Sequence, residues 1–254
     1  MFIGFKVRKK ALAVLAILVY VGCVSVASAQ FQFYGGASAG YGLMKTKTRS
    51  RITFTEAGGG VDPADTSFRK EPKGEKLATD LMLGVRYFIN SFFIGTELSF
   101  VFDKQSVAHR FTFAPDPAIP DFTRVLKTTL RRNVALIPAI TVGKSFGESW
   151  LVFAKLGVAI SRFELELQVR NPIPATFHSG KKTVYGIAPS LGFEYSFHKN
   201  MALTGVFTYE QYGVRKKDFA SVITNPGDDF ASIGDTVAKP RVYSFKVGFI
   251  IKTS

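Results

Sequence analysis

A strict alternation of residue types runs through residues 77–87, LATDLMLGVRY. The odd positions are apolar except for Thr79, whereas the even positions hold a mixed set that includes Asp80 and Arg86. Successive side chains of an extended chain point to opposite sides, so this pattern predicts a β-strand with one apolar face.

The same period continues in both directions along the chain. Residues 92–102 alternate in the same way and follow closely after Asn90-Ser91, which predicts a hairpin. The other segments with this period, some of them less regular, are 33–45, 128–145, 150–168, 185–197, 201–213 and 243–251. Within 150–168 the apolar positions change from even to odd near Phe163, which predicts a bulge or the point where the strand leaves a membrane. The sequence therefore predicts an all-β chain of eight antiparallel strands.

The links between these strands alternate in length. Three are tight turns, at 90–91, 147–149 and 198–200. Four are long, polar and rich in Gly, Pro and Asp, at 46–75, 104–126, 170–182 and 214–239. This arrangement is typical of an up-and-down transmembrane β-barrel with short periplasmic turns and four long extracellular loops.

The face opposite the apolar one decides which side meets lipid. It consists mostly of Gly, Ala and Ser with isolated charges, whereas a water-exposed face would carry many long polar side chains. The interior of an eight-stranded barrel is just wide enough to be filled by such side chains. We therefore expect the apolar face to point outward and the charges to form a lumenal network of Asp80, Arg86, Glu97, Lys155, Glu194, Glu210 and Lys246. Such a network fills and rigidifies the barrel, and a gated pore is the alternative.

The first 29 residues have the features of a signal peptide. Four basic residues precede an apolar run, and Ala27-Ser28-Ala29 provides the small residues that a signal peptidase accepts. An uncleaved anchor and a lipoprotein cut before Cys23 are the alternatives. Cleavage before Gln30 would leave a barrel of residues 30–254 with no cysteine. After residue 26 no run approaches the roughly 20 apolar residues of a spanning helix, which excludes a polytopic helical membrane protein.

The chain is strongly basic. Loss of the four basic residues in the signal segment lowers the formal net charge from +14 to +10. Most of this excess lies in the long links, near predicted strand ends, and predicts a basic outer rim that contacts the phosphates of lipopolysaccharide or another polyanion. Solvated loops that keep the chain soluble are the alternative, and nucleic acid is not an expected partner. The rim residues are Lys45, Lys47, Arg49, Arg51, Lys127, Arg131, Arg132, Lys181, Lys182, Arg215, Lys216 and Lys217.

No pattern in the chain predicts catalysis. A hydrolase needs a nucleophile and a base within hydrogen-bond reach, but the adjacent His178 and Ser179 would point to opposite faces of a strand. No cofactor is expected. Metal ligands at workable spacing are also lacking in the sequence, so we expect no metal site.

Several short segments resemble the transmembrane domain of outer-membrane protein A and its small relatives, including bacterial surface antigens. They are FYGGA at 33–37, GTE at 95–97, KLG at 155–157, GFEYS at 192–196 and ALTGVFTY at 202–209. The resemblance covers nearly all of residues 30–254 and implies a monomeric Gram-negative outer-membrane barrel, inserted by the barrel assembly machinery. Two differences from the family stand out. The peptidoglycan-binding domain of some relatives does not follow the eighth strand, and the end 251–254 lacks the family's terminal aromatic residue.

Together these features predict an outer-membrane protein with a structural or surface-interaction role, not an enzyme. Its loops are expected to act as a surface antigen or adhesin that contacts a host or other extracellular ligand. A small, narrow, porin-like pore is the alternative, and a lipid-modifying enzyme is less favoured.

Overall fold

The computed structural model describes residues 30–55, 66–70, 73–112, 125–170, 176–213, 215–217, 222–224 and 230–253. The predicted signal segment 1–29 lies outside these residues. No helix among them is long and apolar enough to cross a membrane.

The described residues form twelve antiparallel strands. In chain order they are β1 (Gln30–Thr55), β2 (Thr66–Lys70), β3 (Lys73–Ile89), β4 (Phe92–Phe102), β5 (Ser106–Thr112), β6 (Val125–Phe146), β7 (Trp150–Arg170), β8 (Thr176–His198), β9 (Met201–Tyr212), β10 (Arg215–Lys217), β11 (Val222–Thr224) and β12 (Phe230–Lys252).

The longer strands are arranged as a ring. The order of pairing is β1, β3, β4, β6, β7, β8, β9 and β12, and β12 pairs back with β1 from Tyr34 opposite Lys252 to Thr55 opposite Phe230. The four short strands lie beside this ring, with β2 on β1, β5 on β6, and β10 and β11 on β12. A closed ring leaves no edge in its middle, so the backbone groups there are paired within the chain.

Tight turns join the ring strands at one end. Asn90, in the turn between β3 and β4, has a φ of 57°, and Gly147, after β6, has a φ of 64°. Asn and Gly are the residues that adopt this left-handed conformation most readily. These turns lie where the sequence predicts them.

At the other end the strands are longer than predicted. β1 continues to Thr55 and β12 begins at Phe230, although both segments fall within predicted long links. The backbone ladder does not depend on side-chain type, so a segment without an alternating apolar face can still form a paired strand. The predicted links at 46–75 and 214–239 therefore contain paired strand.

The close approach of β1 and β12 depends on glycine. A Cβ at Gly40 would lie 2.0 Å from the carbonyl oxygen of Phe245 and 2.6 Å from the Cα of Lys246, the residue directly opposite. The missing side chain leaves room for Lys246 to cross β1 and reach Asp80 on β3.

The bulge predicted in β7 lies in its neighbour. The register of β6 and β7 shifts between Arg132 and Ala135, where β6 has one residue more than β7. On β7 the alternation continues unbroken, and Phe163 points inward with 5% of its surface exposed. The expected bulge in β7 was wrong, because Phe163 lies inside the ring and the backbone of β7 does not change there. The alternative, that β7 leaves a membrane at this point, stays a prediction.

The ring has an apolar outside. Leu83 is 61%, Phe33 60% and Ile251 66% exposed, and these side chains point away from the enclosed space. On the inside, the described residues form apolar clusters and include many polar side chains. This is the sidedness that the composition of the two faces predicts.

Candidate functional site

The interior of the ring contains most of the predicted charges, arranged as ion pairs. On β4 the Glu97 carboxylate lies 2.6 Å from the Nζ of Lys155 on β7. The hydroxyl of Tyr34 donates to the same carboxylate at 2.7 Å, and that of Ser99 at 2.9 Å. Because every oxygen of Glu97 has a partner, the pair offsets much of the cost of burying its charges.

A second pair lies nearer the tight turns. Arg86 on β3 and Glu194 on β8 approach to 2.7 Å, with side-chain exposures of 1% and 0%. Lys252 also reaches Glu194, at 3.1 Å, and donates to the hydroxyl of Ser196 at 2.6 Å. The guanidinium of Arg86 lies 4.0 Å from the ring centroid of Tyr34, which adds a cation–π contact.

A third pair joins β3 and β12. Lys246 donates to Asp80, and the hydroxyl of Ser38 on β1 donates to the other oxygen of the same carboxylate. All three side chains are buried. The three strands are neighbours in the ring, so the pair connects the two sides of the β1–β12 seam.

A fourth cluster lies toward the end opposite the tight turns and contains Arg132, which the sequence placed at the outer rim. The structure contradicts this prediction, because Arg132 is fully buried. Its guanidinium lies 3.2 Å from the carboxylate of Asp103 and 3.0 Å from that of Glu210. Tyr212 donates its hydroxyl to Glu210. Asp103 follows the last residue of β4, and its burial raises the pKa of the carboxyl to about 6, although Arg132 opposes the shift.

The bulge in β6 explains this difference. Between the bulge and the tight turns the even residues of β6 point outward, as Val134 and Ile140 do. One extra residue reverses the phase, so Arg132 points inward although its number is even. Opposite the bulge, the carbonyl of Gln105 accepts from the Arg132 backbone N–H at 2.8 Å. Alternation counted from the sequence cannot place this residue, because the bulge has no composition signal of its own.

The described interior is electrically balanced. The sequence predicted three bases and four acids there, whereas the structure brings together five of each; Arg132, Lys252 and Asp103 are the residues that sequence reasoning missed. The acids are Asp80, Glu97, Asp103, Glu194 and Glu210, and the bases are Arg86, Arg132, Lys155, Lys246 and Lys252.

Apolar side chains fill much of the remaining interior. Around the Arg132 cluster, side chains from seven ring strands and from β5 form one group: Met44, Val101, Val107, Leu130, Ala135, Ile137, Ala159, Phe163, Val184, Ala188, Tyr212 and Val242. A cleft of about 510 Å³ opens at the tight-turn end, and its lining includes Trp150, His198 and Lys252. Phe88 and Leu151 also line it and belong to a second apolar group, so the cleft borders packed side chains.

The other predicted rim residues are distributed unevenly. Arg131 pairs with Glu166 at 3.0 Å and Lys181 with Glu164 at 3.5 Å, both on the outside of β6, β7 and β8. Lys127 and Lys182 are exposed, and Lys45 and Lys47 lie half-exposed on β1. The side chains of Arg49, Arg51, Arg215, Lys216 and Lys217 lie outside the described part of the structure.

No family model matches the sequence, and no curated protein matches it significantly. The fold resembles that of an outer-membrane β-barrel. The outer-membrane protease OmpT from Escherichia coli aligns with 90% of this chain and 100% of its own, with a TM-score of 0.53 and 9% identity. At this identity the likeness concerns the fold alone.

Two further barrels show lower similarity. The outer-membrane protein OprG from Pseudomonas aeruginosa aligns with 87% of this chain and 95% of its own, with a TM-score of 0.45 and 13% identity. Neisserial surface protein A aligns with 89% of this chain and 99% of its own, with a TM-score of 0.34 and 11% identity. The sequence resemblance to outer-membrane protein A stays a prediction.

Proposed function

We propose that this protein is a Gram-negative outer-membrane β-barrel of eight spanning strands with a structural and surface-interaction role. One observation carries the proposal, namely a belt of exposed apolar side chains around a neutral, packed interior. On the outward face the described residues hold no charge from Leu77 to Ile89, Phe92 to Phe102, Tyr185 to Phe197 or Tyr243 to Ile251. Soluble monomers rarely expose more than a few hundred Å² of contiguous apolar surface. Within lipid, only α-helices and closed β-barrels satisfy the hydrogen-bonding groups of their own backbone.

Aromatic residues border this belt at both ends. They are Phe31, Tyr87, Phe92, Phe146, Trp150, Tyr195 and Phe197 near the tight turns, and Tyr41, Phe102, Tyr185, Tyr209 and Tyr243 near the other end. Aromatic girdles at both interfaces are a property of outer-membrane barrels. The girdles mark the two interfaces of the belt. The tight turns at one end and the longer strand ends at the other support an orientation in which the tight turns face the periplasm.

The filled interior favours a structural role over a pore. Among the described interior residues five acids and five bases are matched, and the apolar group around Arg132 occupies the end through which a solute would have to leave. A water-filled channel would instead be lined by unpaired polar groups. The remaining partners in this proposal are lipopolysaccharide at the basic rim, the barrel assembly machinery during insertion and an extracellular ligand at the loops, with the barrel acting as a monomer.

Arginine substitution at two depths tests the membrane assignment. Leu83 lies at the middle of the belt and Leu77 at its outer edge, on the same strand and with similar exposures of 61% and 68%. In lipid vesicles, Leu83→Arg is expected to lower the free energy of unfolding by about 2–4 kcal/mol and Leu77→Arg by about 0–1 kcal/mol. Urea titration of the folded barrel measures both. Equal effects of the two variants would place this face in water and overturn the proposal.

Thiol labelling tests the orientation. With the predicted cleavage removing Cys23, the mature barrel carries no thiol of its own. Gly59→Cys, in the long link 46–75, is expected to react with a membrane-impermeant maleimide on intact cells, whereas Ser91→Cys, in a tight turn, should react only after the outer membrane is permeabilised. Labelling of Ser91→Cys alone on intact cells would reverse the orientation.

A further inference from the structure

Five cations lie together on the outward face of three neighbouring strands. Lys73 on β3, Lys45 on β1 and Arg241 on β12 occupy one row, because Lys45 is directly opposite both of the others. Lys47 and Lys239 are opposite each other in the next row. We call these five residues the seam patch, because they lie on both sides of the seam where β12 meets β1.

The alternation of burial fixes the direction of these side chains. On β1, Met44 and Thr46 are 0% and 1% exposed and point inward, so Lys45 between them points outward. On β12, Ala238 and Val242 are also buried, which directs Lys239 and Arg241 outward. All five cations of the seam patch are half-exposed or exposed.

Four of the five cations in the seam patch have little negative charge beside them. Among the described residues no ion pair involves Lys45, Lys73, Lys239 or Arg241. Glu75, on the outward face of β3, already accepts a hydrogen bond from the hydroxyl of Tyr41. Like charges placed directly opposite each other on paired strands destabilise the sheet, and an anion that bridges them would remove this cost.

The opposite side of the rim is built differently. There Arg131 and Lys181 each lie against a glutamate of β7, Glu166 at 3.0 Å and Glu164 at 3.5 Å. Cations that are already neutralised bind an added anion weakly. The seam patch therefore differs from this pair of cations, because Lys45 lies directly opposite both Lys73 and Arg241 and no ion pair among the described residues neutralises these three cations.

The position of the seam patch, just beyond the outer edge of the apolar belt, indicates the kind of anion that it binds. Tyr41 and Tyr243 lie at the outer edge of the apolar belt. On the outward faces of their strands, Tyr41 comes four residues before Lys45 and Tyr243 comes two residues after Arg241. The Nζ of Lys45 lies 5.3 Å from the ring centroid of Tyr243. Two residues of a strand span about 7 Å. A lipid whose acyl chains lie against the belt would thus present its phosphates to these cations.

We propose that the seam patch binds the phosphate groups of an acylated, phosphorylated lipid of the outer leaflet, the chemistry found in lipopolysaccharide. This inference rests on the proposed membrane location and narrows its lipid contacts to one place on the barrel. Lys and Arg bind phosphate by charge-assisted hydrogen bonds, while the adjoining apolar belt binds the acyl chains. Recognition requires both parts of the ligand, which distinguishes a lipid from a soluble polyanion.

A pair of double variants with equal charge changes tests the inference. Lys45→Gln with Arg241→Gln removes two seam cations, and Arg131→Gln with Lys181→Gln removes two paired cations from the opposite side. Each purified barrel, in detergent, is titrated with diphosphoryl lipid A and with the same lipid after removal of its phosphates, and bound lipid is counted by mass spectrometry of the intact complex. We expect the seam variant to bind diphosphoryl lipid A about tenfold more weakly than the wild type, and the control variant less than about twofold.

The outcomes separate the inference from the proposed function. Equal weakening by the two variants would overturn the inference, as would binding that does not depend on the lipid's phosphates. Equally tight binding of a soluble sulfated polysaccharide would show a polyanion site in place of a lipid site and would also overturn it. Heat-modifiable gel mobility and insertion into vesicles are measured for every variant, and a wild-type barrel that fails to insert would instead overturn the proposed function.

Discussion

Replacement of Arg132 by methionine is expected to lower the free energy of unfolding by about 3–5 kcal/mol, because it leaves two buried carboxylates without their cation. Arg132 has 0% side-chain exposure and lies between Asp103 and Glu210, which come from different parts of the ring. Urea unfolding of the barrel measures this loss, and pH 8 lies above the pKa of Asp103 in the wild type, which burial raises to about 6.

The adjacent arginine provides a matched control. Arg131 has half of its side chain exposed and pairs with Glu166 on the outside of the ring, so Arg131→Met is expected to cost less than about 1 kcal/mol. The two variants make the same chemical change at consecutive positions. Equal losses of stability, or a larger loss for Arg131→Met, would contradict the inward placement of Arg132 by the bulge in β6.

The second large effect concerns the pair of Lys155 and Glu97. Lys155→Met is expected to destabilise the barrel by about 3–5 kcal/mol, because Glu97 is 2% exposed and loses its cation. Adding Glu97→Gln removes the uncompensated charge. Tyr34 and Ser99 donate to different oxygens of the carboxylate, so one of them can still donate to the amide oxygen while the amide NH2 donates to the hydroxyl of the other. We expect this double variant to recover most of the lost stability, which a double-mutant cycle measures as coupling between the two positions.

The same variants separate a structural network from a gate. If the pair only fills and rigidifies the interior, Lys155→Met lowers stability and gives no discrete conductance in planar bilayers. A gate would give the opposite result, with new conductance steps and little change in the free energy of unfolding. That result would favour the narrow pore over the structural role proposed above.

Local composition was sufficient to predict much of the ring. Alternation at 77–87 and 92–102 corresponds to β3 and β4, and the contrast between a large apolar face and a small, sparsely charged one predicts which face lies outside. The predicted charges at Asp80, Glu97 and Glu194 lie inside for the same reason. Each of these features depends on side-chain direction within one strand, which period two specifies.

The pairing of distant groups depended on the tertiary structure. Lys246 reaches Asp80 only because the ring brings β12 beside β1 and because Gly40 leaves the space between them. Likewise, Lys252 on β12 contacts Glu194 on β8, with β9 between them, and neither partner indicates the other in sequence.

The sequence by itself therefore determined the strand period, the tight turns and the identity of the two faces, since these follow from the chemistry of neighbouring residues. Only the tertiary structure decided the inward turn of Arg132, the partners of each buried charge and the grouping of Lys45, Lys73 and Arg241 at the seam. The physical reason is that strand register and a one-residue bulge are set by the packing of the whole ring. A shift of one residue reverses every side chain beyond it without changing the local composition.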